Sequence, residues 1–83
     1  GWEEVTFNNS PLFSGIKQNA DFYFVHSFHL KSKNKSQIIA TYNLDGNEIT
    51  AAIQKENIVA TQFHPEKSQD NGLKVLENFV KMY

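Results

Sequence analysis

Short runs of apolar residues, some of them alternating with polar ones, recur along the chain as far as residue 63, and from Ser68 onward the apolar positions recur at a longer period. Runs of alternating, β-branched or aromatic residues predict strands. Such runs occupy residues 4–7, 22–28, 37–42, 48–54 and 58–63. The run 22–28 carries apolar residues on both faces, which predicts burial in the middle of a sheet. The last three runs are joined by short polar turns and therefore predict an antiparallel meander.

The segments between these runs also carry structural signals. Asp45-Gly46-Asn47 indicates a tight hairpin turn, because Asp and Gly tolerate positive φ angles. Residues 55–57 predict a second turn, and residues 11–16 predict a turn or a short helical piece.

From Ser68 onward the apolar positions follow the period of a helix. The residues that share one helical face are Leu73, Leu76, Phe79, Val80 and Tyr83. We predict that this face docks on the sheet, with Ser68 or Asp70 as the N-cap residue. The chain is therefore predicted to be mostly β-strand with a C-terminal helix, and to belong to the α/β class.

Length and composition favour one small folded domain or a part of a larger one. The 83 residues include 8 basic and 9 acidic ones, for a net charge of −1, and contain no cysteine. Balanced charge predicts neither nucleic acid nor a membrane surface as a partner, and no apolar run approaches the roughly 20 residues of a membrane span. We expect a cytoplasmic chain without cofactors. Because it begins with Gly1 rather than methionine, we expect a fragment of a larger protein.

The residues best suited to catalysis lie where the last strand gives way to the helix. His64 and Glu66 are two residues apart, and Pro65 fixes the backbone between them. Residues i and i+2 of a strand point to the same side, so the imidazole and the carboxylate are predicted to converge. A carboxylate that accepts a hydrogen bond from one imidazole nitrogen leaves the other nitrogen free as a general base. The other reading is a surface turn in which these residues meet by chance.

A metal site is not expected from the histidines. His26 and His29 are three residues apart on a predicted strand, so they face opposite sides, and no cysteine could join His64 as a ligand. We therefore interpret His26 as a packed strand histidine.

Three stretches of the chain resemble one enzyme family. Residues 60–68 resemble the His-Pro-Glu signature of class I (triad) glutamine amidotransferases. Residues 1–5 and 23–28 resemble the Gly-Trp-Asn-Glu and Tyr-Phe-Val-His-Ser/Thr-Tyr segments of the glutaminase subunits of imidazole glycerol phosphate synthases. The resemblance implies that residues 1–83 form the C-terminal part of a single amidotransferase domain. It also implies that the half bearing the nucleophilic cysteine is absent.

The resemblance assigns roles to seven residues. It implies a catalytic base and its orienting carboxylate, two contacts to the substrate glutamine, and three residues that face a synthase subunit. These are, in order, His64 and Glu66, then Ser27 and Phe28, then Trp2, Tyr23 and Lys67. Two positions depart from the family pattern, since Glu3 replaces an asparagine and Phe28 replaces a tyrosine.

The implied function is glutamine hydrolysis, with the ammonia passed to a cyclase subunit for histidine biosynthesis in a heterodimer. One alternative is a glutaminase subunit that supplies ammonia for sugar amidation in surface polysaccharide synthesis. Another is a non-catalytic module that only docks a partner. Because the chain lacks a thiol, we predict that it has no glutaminase activity by itself.

Overall fold

The computed structural model describes residues 1–24, 34–56 and 58–82, and all structural statements concern these segments. They form one antiparallel sheet and one long helix, α1 (Gln69–Met82), with the sheet order β2-β1-β3-β4-β5. The strands are β1 (Trp2–Phe7), β2 (Ala20–Tyr23), β3 (Ile38–Leu44), β4 (Asn47–Lys55) and β5 (Ile58–Thr61). Short 3₁₀ helices span Pro11–Phe13, Lys35–Gln37 and Pro65–Lys67. The predicted mixture of strands and a C-terminal helix is confirmed.

The β3–β4 hairpin has the turn that its sequence predicts. Asp45 and Gly46 have φ angles of 52° and 85°, and they connect the paired residues Leu44 and Asn47. Positive φ at both central positions gives a turn whose twist matches that of the strands. The Asn43 side chain accepts a hydrogen bond from the Gly46 N–H at 3.0 Å, which fixes the turn further.

The sheet curls until its two ends meet. Phe24, just after β2, forms an antiparallel bridge with Phe63, just after β5. On its other side Phe24 exchanges two backbone hydrogen bonds with Gly1, each 2.7 Å long. The prediction of a central strand at 22–28 is therefore wrong for its described part, because β2 stands at the end of the strand order. Residues 25–33 lie outside the described segments.

The double-faced apolar pattern of β2 has a local explanation. Phe22 and Phe24 are fully buried on the inner face of the sheet. Tyr23 points the other way and packs edge-on against Trp2, its cross-strand partner, with ring centroids 5.7 Å apart. On the outer face, Tyr23 is thus covered by the ring of its cross-strand neighbour, in place of the second layer of structure that burial of both faces would require.

The core inside the curl is largely aromatic. Phe63 contacts the rings of Phe13, Phe22 and Phe24, at centroid distances between 4.5 and 6.4 Å. The rings of Phe63 and Phe24 meet edge-on and the other two pairs are tilted, and aromatic pairs that avoid direct face-to-face stacking are favourable beyond the burial of area. Since Phe63 immediately precedes His64, the core anchors the segment that carries the predicted base.

The helix exists where predicted but presents a different face to the core. Its buried residues are Gly72, Val75 and Asn78, and it packs on β2 and on the 3₁₀ helices Pro11–Phe13 and Pro65–Lys67. The residues predicted to dock are exposed, and Leu73 and Val80 have 62% and 75% of their surface accessible. Leu76 and Phe79 are 41% and 40% accessible, and Tyr83 lies outside the described segments.

Hydrogen bonding and close approach determine which face of α1 is buried. The Asn78 side-chain amide donates to the carbonyl oxygens of Leu12 and Ser14 at 2.9 and 2.8 Å. Gly72 lies directly against Pro65, where a larger residue would not fit. These two contacts rotate the helix away from its apolar stripe. Among the described residues, no helix combines the length and the apolar character that crossing a membrane requires.

Candidate functional site

The His64 turn is positioned by strand pairing on one side and by a 3₁₀ helix on the other. After β5 ends at Thr61, the Gln62 N–H donates to the Ala51 carbonyl at 2.7 Å and prolongs the pairing with β4. His64 then serves as the N-cap residue of the 3₁₀ helix Pro65–Lys67, with φ −98° and ψ 102°. Proline is well suited to the first helical position, because its ring fixes φ and it has no N–H to satisfy.

The two predicted catalytic side chains do meet. His64 Nδ1 lies 3.1 Å from Glu66 Oε2, which is within hydrogen-bonding distance. The predicted reason was wrong, because these residues are not in a strand. Glu66 lies in the 3₁₀ helix, and its side chain reaches back to the imidazole of the residue that caps that helix.

The charge state of Glu66 determines which imidazole nitrogen carries the proton. The pKa of Glu66 is lowered, first by a hydrogen bond from its own backbone N–H and then by its hydrogen bond with His64, while desolvation opposes the shift. An ionised carboxylate can only accept a hydrogen bond, so Nδ1 must be the donor. In the neutral imidazole, Nε2 then carries no proton and can act as a base.

The His64–Glu66 contact is open to solvent. The two side chains have 39% and 60% of their surface accessible. Exposed ion pairs contribute little to folding stability, because water competes for both partners. This contact therefore orients the imidazole but does not hold the turn in place.

The turn is held instead by the backbone and by one buried hydroxyl. The His64 N–H donates to the Tyr23 carbonyl at 2.8 Å. Ser68 Oγ donates to the His64 carbonyl at 2.6 Å and accepts from the Tyr23 N–H at 2.9 Å. The sequence predicts Ser68 as a helix cap and misses this bridge, since the bridge joins residues that are 45 positions apart.

The three residues predicted to face a partner surround the same end of the sheet. Trp2 and Tyr23 form the edge-on ring pair on the outer face, and Trp2 is 45% exposed. Lys67 is exposed in the 3₁₀ helix, where its charge helps to lower the pKa of Glu66. Ser27 and Phe28, the predicted glutamine contacts, lie outside the described residues, as does His26.

In the described part of the chain, no three His, Asp or Glu side chains come together as metal ligands would. The described part of the site therefore consists of an imidazole that is oriented by a carboxylate, on a turn that is held by backbone hydrogen bonds and the Ser68 hydroxyl.

Comparison with known proteins places this arrangement in a family. Residues 1–82 match the glutamine amidotransferase class-I family, and the chain belongs to it. Among its relatives is imidazole glycerol phosphate synthase subunit HisH 1 of Campylobacter jejuni, strain RM1221, which is 47% identical over 83 residues, or 99% of this chain and 40% of that protein.

Other relatives are similar to the same degree. The HisH 1 subunit of Methanococcus maripaludis is 49% identical over 99% of this chain and 40% of its own length. The HisH subunit of Haemophilus influenzae, strain KW20, is 49% identical over 98% of this chain and 40% of its own length. The chain thus spans about 40% of the length of the curated relatives it matches. Its expected position in the C-terminal part of the domain stays a prediction.

Proposed function

We propose that this chain supplies the general base and the orienting carboxylate of a glutaminase, which hydrolyses glutamine to glutamate and ammonia. The observation that carries the proposal is the 3.1 Å contact between His64 Nδ1 and Glu66 Oε2 in a member of the amidotransferase family. The contact leaves Nε2 as the basic nitrogen, which is what deprotonation of a nucleophile requires.

The proposed reaction has two acyl-transfer steps. His64 takes the proton of a cysteine thiol that lies outside these residues, since the sequence has no cysteine. The thiolate attacks the side-chain carbonyl of glutamine, and the C–N bond breaks as His64 returns the proton to the departing ammonia. His64 next deprotonates water, which attacks the thioester carbonyl. The C–S bond breaks as His64 returns this proton to the leaving sulfur, and glutamate and the thiol are released. Glu66 stabilises the imidazolium formed in each step.

We further propose the partner that receives the ammonia. The relatives are named as subunits of imidazole glycerol phosphate synthase, so this chain is proposed to act in histidine biosynthesis as one half of a heterodimer with a cyclase subunit. Trp2, Tyr23 and Lys67 are the proposed interface residues. The exposed Trp2 ring supports this role, because interfaces are enriched in aromatic anchors. Ser27 and Phe28 are the proposed contacts to glutamine.

The test uses the full-length polypeptide that carries these residues, together with its cyclase partner. Replacing the base in His64→Ala is expected to lower glutamate release by about 10²- to 10⁴-fold, the usual contribution of a general base. Glu66→Gln is expected to cause a smaller loss, because Nε2 stays in place but loses its charged support. Ser36→Ala removes an exposed hydroxyl bonded to Asn34 and is the matched control.

Two results would contradict the proposal. Wild-type glutamate release by the His64→Ala variant would remove His64 from catalysis. Glutamine turnover by the isolated 83-residue chain would contradict the requirement for an external thiol.

A further inference from the structure

We propose that Ser68 is a positioning residue for the catalytic base, acting through a hydroxyl inserted between β2 and the His64 turn. This inference rests on the proposed function, in which His64 is the base. Ser68 does not touch the reacting atoms, and its role is to set where the His64 backbone lies.

The strand pairing at Tyr23 and His64 shows the insertion. In a regular antiparallel pair, two hydrogen-bonded residues exchange both of their N–H···O contacts. Here only one is direct, from the His64 N–H to the Tyr23 carbonyl at 2.8 Å. The second is relayed, because the Tyr23 N–H donates to Ser68 Oγ at 2.9 Å and Oγ donates to the His64 carbonyl at 2.6 Å. The hydroxyl thus holds the His64 carbonyl apart from the strand.

This relay gives Ser68 control over the direction of the imidazole. The Lys67 N–H also donates to the His64 carbonyl, at 3.1 Å, and this bond begins the 3₁₀ helix that carries Glu66. The orientation of that carbonyl therefore couples the strand to the helix that presents Glu66. Without the hydroxyl, the carbonyl must either lose a partner or move toward Tyr23, and the turn must move with it.

The helix α1 fixes Ser68 from behind. Ser68 is only 1% exposed, and its carbonyl accepts from the Gly72 N–H at 3.3 Å. Gly72 lies close to the serine, since a Cβ added at Gly72 would lie 2.9 Å from the Cβ of Ser68. A buried donor that loses its partner is costly, so the Tyr23 N–H and the His64 carbonyl keep the hydroxyl in this position.

The experiment replaces Ser68 with alanine in the full-length polypeptide, paired with its cyclase subunit. We expect kcat for glutamate release to fall by about 10- to 100-fold, as a small misplacement of a catalytic group can cause. The KM for glutamine is expected to change by less than about twofold, since substrate contacts lie elsewhere. Rates are referred to the concentration of titratable thiol in folded enzyme, so that a loss of folded protein does not count as lost activity.

A double-mutant cycle separates positioning from general stability. If Ser68 acts through the oriented imidazole, Ser68→Ala should cost much less in the Glu66→Gln background, where the orientation is already impaired. Additive losses in the two variants would overturn the inference, as would a wild-type kcat for Ser68→Ala. The Ser36→Ala variant should behave as wild type in both respects.

The His64→Ala variant distinguishes a failure of the proposed function from a failure of the positioning role of Ser68. If it keeps wild-type activity, the proposed function fails and the positioning role fails with it. If His64→Ala is inactive while Ser68→Ala has full kcat per folded enzyme, the function stands and only the role of Ser68 is wrong.

Discussion

The buried face of α1 is less apolar than its exposed face, the reverse of what is usual for a helix that packs on a sheet. The face that packs against the rest of the chain carries Gly72, Val75 and Asn78. Of these three residues, only Val75 has a hydrophobic side chain. The face toward solvent carries the apolar stripe, in which Leu73 and Val80 are more than half exposed.

The difference shows that close approach and hydrogen bonding, rather than the apolar character of a face, determine which face of this helix is buried. A glycine allows α1 to approach the His64 turn, and an asparagine satisfies two carbonyl groups of the segment after β1. Buried polar groups need hydrogen-bond partners, and the Asn78 side chain has two, so its burial at this position is favourable. The buried face of α1 thus serves the candidate site directly.

The largest effect is expected from closing the gap at Gly72. A Cβ there would lie 1.8 Å from the Pro65 carbonyl oxygen, which is a backbone atom and cannot swing away. We expect Gly72→Ala to lower the free energy of unfolding by about 3 kcal/mol or more, as overpacking does when the backbone must move. Urea denaturation of the polypeptide carrying these residues measures the change.

The sign of the Gly72→Ala effect is diagnostic. Alanine favours a helix over glycine by about 1 kcal/mol, so a helix with free space at this position would become more stable. A stabilised Gly72→Ala variant would therefore refute the close contact between α1 and the His64 turn. Glu77→Ala, on the exposed side of α1, is the control and should change the stability by no more than about 0.5 kcal/mol.

A matched pair of truncations tests the two faces directly. We expect Val75→Ala to cost about 2 kcal/mol, because Val75 is 2% exposed and its methyl groups leave a cavity. Leu73→Ala removes more atoms, but in the 83-residue chain it should change the free energy of unfolding by no more than about 0.5 kcal/mol, because Leu73 is 62% exposed there. The same denaturation measurement applies to both. Equal losses, or a larger loss at Leu73, would show that the apolar stripe is the packed face.

This rotation of α1 also marks the limit of what the sequence could predict about the fold. The Asp45-Gly46 turn and a strand in each predicted run follow from local patterns and are confirmed, except that residues 25–28 of the predicted strand 22–28 lie outside the described segments. The existence of α1 follows from its apolar period as well. The period shows which residues share a face, but it does not show what covers that face, and here the contacts of Gly72 and Asn78 decided the matter.

For the candidate site, likewise, the sequence predicted the contacts between neighbouring residues but not those between residues far apart in the chain. The proximity of His64 and Glu66 follows from their spacing and the proline between them, although the geometry is that of a 3₁₀ helix. The bridge made by Ser68 depends on Tyr23, which is distant in sequence, so no local pattern could indicate it. The roles of Ser27 and Phe28 remain predictions.

The smallest expected effect concerns the exposed pair, which should influence titration more than stability. The backbone N–H of Glu66, the His64 imidazole and the Lys67 charge all favour the ionised carboxylate. We therefore expect the Glu66 pKa to lie below that of an ordinary glutamate. Carboxyl-carbon NMR of the labelled protein measures it. His64→Ala should raise this pKa only part of the way, because the hydrogen bond from the Glu66 backbone N–H makes the largest contribution to the shift and survives the substitution.

The consequence for stability follows from the direction of this shift. A carboxylate whose pKa is lower in the folded state stabilises the fold above its unfolded pKa, and this contribution disappears as the pH falls through the folded pKa. The denaturation midpoints of the wild type and of Glu66→Gln should therefore differ slightly at neutral pH and converge in acid. Convergence is the informative result, because contacts on the buried face of α1 carry no such titration. A Glu66 pKa at or above the ordinary value would show that the carboxylate is not hydrogen-bonded to the imidazole and does not orient it.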